Sequence, residues 1–402
     1  MDDLGRAMTG ASGMRMLGGG NPAAIPSIQR IWRDELARLL QDAPRLDAVL
    51  GNYDIPQGSP RFLDALATLL RNTYGWSITP ANIAVTNSSQ TAYFMLFNML
   101  AGEMASGMCK HILLPLMPEY IGYADQGMRD DLLTARKPMI EEIGRHRFKY
   151  HIDFDALELN PQVGGVCVSR PTNPTGNVLT TEELQRLSDL TKSAGIPLII
   201  DNAYGIPFPG IVFNDAQPIW DEHIILTLSL SKLGLPGTRT GIVIASAPII
   251  RAITAANAVI SLANSNLGQA IVTPGIEDGR ILEWSRDHVR PFYQARLDQA
   301  LEWVTASFDH DLPWRLHTCE GALFLWLWCC DLPIDSRLLY ERLKSRGVLV
   351  VPGCFFFYGM EDDWPHSHEC IRINYSQPEA IVREGLRIIG EELRKAYSPS
   401  RS

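Results

Sequence analysis

Residues 165–205 read GVCVSRPTNPTGNVLTTEELQRLSDLTKSAGIPLIIDNAYG, and this stretch decides the fold. A short β-rich run at 165–169 gives way to the turn-forming segment Arg170-Pro171-Thr172-Asn173-Pro174-Thr175-Gly176. A helix over 181–194 follows, with Thr180 as its N-cap, Glu183 completing a capping box and Gly195 as its stop. The next apolar run, PLIID at 197–201, begins at once. Strand, helix and strand in this order predict a parallel pair.

The same alternation continues on both sides. The runs ILLP at 112–115, IILTLS at 224–229 and GIVIA at 241–245 are separated by helical stretches, so the body of the chain is expected to hold a mostly parallel α/β sheet. The carboxyl-terminal third changes texture. A long helical pattern over 279–307 leads to GALFLWLW at 321–328, read as a strand buried on both faces, and then to a helix, a strand and a last helix over 377–397. These elements suit a smaller α+β domain. The amino-terminal part holds one amphipathic helix, IQRIWRDELARLL, and a glycine run, too little to fold alone, and is expected to pack on the smaller domain. The expected division is 1–48, 49–285 and 286–402.

Composition limits the partners. A chain of 402 residues with 46% hydrophobic and 20% charged residues is long and apolar enough for a large core. Its 36 Lys and Arg against 45 Asp and Glu give a net charge of −9, which offers no electrostatic footprint for nucleic acid or an anionic membrane. A small-molecule partner is expected. The seven cysteines, at 109, 167, 319, 329, 330, 354 and 370, form no C-x-x-C pair and read as thiols of a reducing compartment. The start, MDDLGRAMTGASGMRML, lacks the apolar region of a secretory leader, so a cytoplasmic location is expected. Residues 252–276 carry no charge and are long enough to span a bilayer. Asn257, Ser261, Asn264, Ser265, Asn266 and Gln269 interrupt the stretch and Pro274 with Gly275 ends it, so it reads instead as a buried helix followed by an interface segment.

In open parallel sheets ligands gather outside the carboxyl ends of the strands. Three of the predicted strands end in reactive side chains: Arg170 to Gly176 after the first, Asp201, Asn202, Ala203 and Tyr204 after the second, Ser229, Leu230, Ser231 and Lys232 after the third. A lysine placed there is costly as a cation and suits use as a neutral amine or an imine. A carboxylate on the neighbouring strand, Asp201, can hold a pyridinium nitrogen, which is what makes pyridoxal 5′-phosphate an electron sink. Tyr204 and Asn173 can then meet the ring oxygen. Thr86-Asn87-Ser88-Ser89-Gln90, at the start of the helical run YFMLFNML, offers hydroxyls, an amide and free N–H groups for a phosphate, with Ser229 and Arg239 completing the cradle.

Three other patterns point elsewhere and are set aside. Gly18-Gly19-Gly20-Asn21-Pro22-Ala23 fits the dinucleotide fingerprint in letters, but no strand precedes it. Ser229-x-x-Lys232 matches a serine–lysine acyl-enzyme motif without the triplets that accompany it. His366-Ser367-His368 lies in a polar WPHSHE loop, is read as facing solvent, and has no third ligand; no metal is expected.

The segments LGGGNPAAIP (17–26), NYDIPQG (52–58), LPLMPEYIGYAD (114–125), SRPTNPTGNV (169–178), IDNAYGIPFPGI (200–211), SLSKLGLPGTRTG (229–241), EGALFLWLW (320–328), VPGCFFF (351–357) and RINY (372–375) together resemble the fold-type I pyridoxal phosphate-dependent aminotransferases, and more narrowly their valine–pyruvate branch. The resemblance implies an aspartate aminotransferase-like large domain that binds the cofactor, a smaller α+β domain, and a homodimer with shared active sites. It implies Lys232 as the imine-forming lysine and proton shuttle, Asp201 at the pyridine nitrogen, Tyr204 and Asn173 at the ring oxygen and Tyr120 stacked on the ring. Ser89, Gln90, Ser229 and Arg239 are implied at the phosphate, and Tyr53 at the phosphate of a neighbouring subunit. Arg372 is implied at the substrate carboxylate, with Asn173 and backbone N–H near Gly20 assisting. The family commonly carries glycine where Ser88 stands. The implied reaction passes an amino group between valine and pyruvate, giving 3-methyl-2-oxobutanoate and alanine. Other neutral amino acids, a lyase reaction on the same fold, and a serine–lysine hydrolase are the alternatives. A transcription regulator of the same fold would need a DNA-binding segment ahead of position 17, where little chain is read.

Overall fold

The computed structural model describes residues 13–398. Residues 1–12, part of the start on which the expected cytoplasmic location rests, and the polar tail 399–402 lie outside the described residues. One sheet of eight strands carries the alternation read from the sequence. Its order is Ile83–Thr86, Gly241–Ile244, Ile224–Ser229, Leu198–Asp201, Val163–Ser169, Cys109–Leu114 and Gly102–Glu103, with Leu133–Ala135 also paired to Cys109–Leu114. The pairs from Ile224–Ser229 through Cys109–Leu114 to Leu133–Ala135 are parallel, while Gly241–Ile244 runs antiparallel to both its neighbours. All residues of Val163–Ser169, Leu198–Asp201 and Ile224–Ser229 are buried, which is why these strands read as continuous apolar runs rather than as alternation.

The crossover from Val163–Ser169 to Leu198–Asp201 is the helix Thr181–Ser193. Its Thr180 hydroxyl accepts from the Glu183 N–H at 3.1 Å and the Glu183 carboxylate accepts from the Thr180 N–H at 2.9 Å. These reciprocal bonds satisfy two of the helix's orphan donors and fix where it starts.

A second sheet of six strands orders Val351–Pro352, Cys370–Asn374, Phe324–Cys329, Trp314–His317, Arg147–His151 and Met139–Ile143. Its last two strands form a hairpin that leaves the first half of the chain to pair with the carboxyl-terminal third. The run at 321–328 becomes a strand only from Phe324, since Gly321 and Ala322 turn the chain. The amino-terminal contacts are divided. Arg15–Met16 pairs with Val348–Leu349, whereas the helix Pro26–Gln41 sets Trp32 edge-on to Trp284 and donates its indole N–H to the Leu233 carbonyl at 2.9 Å.

The uncharged stretch at 252–276 is not a buried helix followed by an interface segment. It belongs to two helices, Ala247–Ile260 and Asn266–Glu277, and the end of the first together with Leu262 is exposed. Pro274 lies inside the second helix instead of ending it. Proline supplies no N–H to the carbonyl four residues back, Ala270, and Arg45 Nη2 donates to that oxygen at 3.0 Å instead. Among the described residues no helix is long and apolar enough to cross a membrane. The helical pattern at 279–307 is interrupted by a π-helical turn at Ser285–Val289.

Candidate active site

The carboxyl ends of the parallel strands bring the predicted groups together. Asp201 is the last residue of its strand, in register with Thr227 on one side and Ser169 on the other. Ser229 ends the next strand, and the turn Ser231–Leu233 carries Lys232 back over the sheet edge. Gly234 closes that turn at φ 90°, a conformation that favours glycine, and a Cβ there would lie a tight 3.0 Å from the Ile28 side chain of the helix Pro26–Gln41.

The Lys232 amine donates to the Gly20 carbonyl at 2.6 Å and lies 5.4 Å from the centre of the Tyr204 ring. Burial, then the nearby Arg372 guanidinium, push its pKa down to about 8, with Asp201 acting in the opposite direction. Asp201 is buried. Its Oδ2 accepts from the Tyr123 hydroxyl at 2.5 Å and its Oδ1 from the Ala203 N–H at 2.9 Å. Burial raises its pKa, and these two hydrogen bonds and the Lys232 charge act to lower it.

Arg372 projects from the second sheet. Its guanidinium lies 4.2 Å from the centre of the Phe324 ring and 5.0 Å from that of Phe356. Nη1 donates to Asn173 Oδ1 and Nη2 to the Gly18 carbonyl, both at 2.7 Å, while Nε is buried without a partner. No carboxylate of the described residues pairs with it, and burial draws its pKa down to about 10. An arginine buried without a counterion is poised to receive one.

The residues expected at a phosphate lie at neighbouring helix and strand ends. Ser89 starts the helix Ser89–Leu100, whose Ser88 cap sits at φ 108°. The adjoining strand presses so closely that a Cβ on Gly241 would meet the Ser88 carbonyl carbon and the Ser89 nitrogen at 2.4 Å. Gln90 donates to the Gly122 carbonyl at 2.9 Å and accepts from the Tyr120 hydroxyl at 3.3 Å. Ser229 Oγ accepts from the Ser231 N–H at 3.1 Å. Arg239 is exposed, has no carboxylate partner among the described residues, and lies within electrostatic reach of Lys232 and Tyr120. The Tyr204 hydroxyl is likewise uncommitted, and the Asn173 amide NH₂ remains free beside the bonded Oδ1. Tyr53 does not join this cluster; it stands 82% exposed.

Two site residues escaped the sequence reading. Tyr123, three positions after Tyr120, packs edge-on to it and holds Asp201. Glu119 is buried with no cation of the described residues paired to it, and accepts from the Ser169 N–H at 2.7 Å, the Ser169 hydroxyl at 2.5 Å and the Tyr120 N–H at 3.2 Å. Burial pushes its pKa up to about 8. A carboxylate inside the apolar run LPLMPEY was the available signal.

The histidine pair is corrected. His366 does not face solvent: it is buried among Phe148, Trp328, Phe357 and Trp364, hydrogen-bonded to the Tyr150 hydroxyl at 2.5 Å, and desolvation lowers its pKa to about 3. His368 bridges Asp335 at 2.8 Å and Asp363 at 2.7 Å.

The family model described as aminotransferase class I and II matches residues 139–389. The valine–pyruvate aminotransferase of Escherichia coli K12 is 48% identical over 400 residues, covering 100% of this chain and 95% of the relative. The crystal structure of the valine–pyruvate aminotransferase from Salmonella typhimurium LT2 superposes with a TM-score of 0.91 at 46% identity, covering 99% of each chain. A putative amino-acid aminotransferase from Psychrobacter arcticum 273-4 superposes with a TM-score of 0.97 at 44% identity, covering 99% of this chain and 95% of the other. A lysine and an aspartate within electrostatic reach of each other at the carboxyl ends of neighbouring strands, with an arginine that has no acid partner among the described residues, therefore sit in a chain that belongs to the class I and II aminotransferase family.

Proposed function

We propose that this chain is a valine–pyruvate transaminase that uses pyridoxal 5′-phosphate. The observation that carries the reading is the buried Arg372, without an acid partner among the described residues and close enough to Lys232 to depress its pKa. A carboxylate-bearing substrate completes that charge balance and brings its α-carbon toward the amine.

The donor set fits the cofactor. Asp201 would hold the pyridine nitrogen, Tyr204 and Asn173 the ring oxygen, Tyr120 the ring face, and Ser89, Gln90, Ser229 and Arg239 the phosphate. When bound, the cofactor supplies a protonated ring that takes up the electron pair left at the α-carbon. Lys232 does the proton work. With a pKa of about 8 it is part neutral near neutrality and can take the α-proton and return it. Arg372 and Asn173 orient the substrate through its carboxylate, a planar fork that lysine does not reproduce. Ser229 ends the strand just before the turn that carries Lys232, but the Lys232 amine donates to the Gly20 carbonyl and not to Ser229, which disfavours the serine–lysine hydrolase.

The reading includes a second copy of the chain. Tyr53, Val259 and Leu262 are 82%, 87% and 56% exposed. Their segments are tied together by Asn257 and Asn264, which both donate to the Pro56 carbonyl, and by Asn266, which donates to the Asn52 carbonyl. An exposed apolar patch of this kind suits a homodimer in which Tyr53 reaches the partner's phosphate site. The reading also keeps the domain division at 49–285 and 286–402, with the hairpin at 139–151 crossing it, and a reducing cytoplasmic setting for seven unpaired cysteines.

Lys232→Ala tests it. Transamination of L-valine with pyruvate, followed through alanine formation, should vanish; turnover retained by that variant contradicts the assignment.

A further inference from the structure

The run Gly18-Gly19-Gly20 has no side chains with which to hold itself in place. A Cβ at Gly20 would meet nothing within 4 Å. Yet each of its successive carbonyls is taken by a side chain from a distant part of the chain: Gly18 by Arg372 Nη2 at 2.7 Å, Gly19 by Asn374 Nδ2 at 2.6 Å and Gly20 by Lys232 Nζ at 2.6 Å.

Two of these donors are working groups. When Arg372 binds a carboxylate and Lys232 takes part in the reaction, their hydrogen bonds to the run compete with those tasks. Asn374 differs. It stands two residues beyond Arg372 on the strand Cys370–Asn374, so the two side chains leave the same face. It is fully buried, and its Oδ1 accepts from the Ser376 N–H at 2.7 Å and the Ser376 hydroxyl at 2.8 Å. With the oxygen held by two donors, the amide has one orientation, and its NH₂ faces the glycine run. Its own backbone N–H donates to the Leu17 carbonyl at 2.7 Å.

We propose that Asn374 is a positioning residue for substrate binding, the fixed anchor that keeps the 18–20 run against the site when Lys232 gives up its carbonyl for the cofactor and Arg372 for the substrate carboxylate. The inference rests on the transaminase reading above and deepens it. Without the anchor the chain stays fixed at Leu17, but the carbonyls of the run itself are held only by the two groups that must let go, so substrate binding has to bear the cost of ordering residues 18–20. The effect falls on binding of any 2-amino or 2-oxo acid, since it acts through the carboxylate site and not through the substrate side chain.

The test is Asn374→Ser in the cofactor-loaded protein, with KM and kcat for L-valine and pyruvate. The same protein is titrated with 3-methylbutanoate, a carboxylate that cannot react, through the cofactor's visible absorption. Loss of a buried hydrogen bond of this kind predicts KM for both substrates and Kd for 3-methylbutanoate raised about tenfold, with kcat within about threefold of the parent. If Asn374→Ser does not fold, Ser376→Ala, which removes one of the two donors to Oδ1, should move the same constants in the same direction by about twofold to threefold. A folded Asn374→Ser protein of lowered stability but unchanged KM and Kd overturns the proposal, as does a Ser376→Ala protein with unchanged constants where Asn374→Ser is lost. A parent protein that binds 3-methylbutanoate without transaminating refutes the transaminase reading instead, and the binding titration alone then decides the role of Asn374.

Discussion

The Tyr123 hydroxyl donates to Asp201 Oδ2 across 2.5 Å, with both side chains buried. That bond favours the charged carboxylate in a place where burial alone disfavours it. Tyr123→Phe should therefore raise the pKa of Asp201 further and weaken its hold on a protonated ring nitrogen. A lost hydrogen bond to a charged group predicts kcat lower by about tenfold or more with KM for L-valine little changed. Steady-state kinetics decide it: a kcat equal to the parent's denies Tyr123 this part.

Lys232 gives the site a pH signature. Its pKa of about 8, against the usual 10.5, means that the neutral amine becomes dominant above about pH 8. The rate at which cofactor-free protein takes up pyridoxal 5′-phosphate should rise about tenfold per pH unit toward that value and level off beyond it. Stopped-flow absorbance across the range reads this directly. A rate still climbing well above pH 8 would return the lysine to its ordinary range.

Glu119 affects stability. Its pKa is about 8 in the folded protein against 4.5 for an ordinary glutamate, so between those values the folded state holds a proton that the unfolded state has released. Stability contributed by this group therefore falls as pH rises through that window, with a limiting slope of about 1.4 kcal/mol per pH unit. Glu119→Gln should flatten the profile of denaturation midpoint against pH between about pH 5 and 8. Parallel profiles for parent and variant would show that the carboxyl is not the proton carrier.

Ser88 occupies a backbone conformation, φ 108°, that favours glycine. A side chain held there costs about 1–3 kcal/mol. Its hydroxyl accepts from the Thr91 N–H at 3.4 Å, a long cap whose loss to glycine costs only a few tenths. Ser88→Gly should stabilise the protein by about 1 kcal/mol in a denaturant titration. A lower midpoint would mean that the cap outweighs the strain.

The sequence carried some of this plainly. The strands Val163–Ser169, Leu198–Asp201 and Ile224–Ser229 are buried on both faces, so their apolar runs stand out, and Asp201 and Lys232 are visible as polar residues placed directly after such runs. Leu133–Ala135, of three residues, is too short to signal itself, and Met139–Ile143 is mostly exposed with two glutamates. That the hairpin at 139–151 joins the second sheet depends on pairing with Trp314–His317, a contact that no local pattern encodes. The same limit explains His366, since the rings that bury it include Phe148 and Trp328 from two distant strands. It also explains Tyr123, whose partner Asp201 is 78 residues away.

The most direct test of the account is a single half-reaction. The protein loaded with pyridoxal 5′-phosphate is mixed with L-valine in the absence of any oxo acid, and visible absorbance and products are measured together. The account predicts loss of the yellow colour with one 3-methyl-2-oxobutanoate released per cofactor, no ammonia or carbon dioxide, and return of the colour with formation of alanine when pyruvate is added. Colour unchanged by L-valine, or bleaching accompanied by ammonia or carbon dioxide instead of the oxo acid, would contradict it.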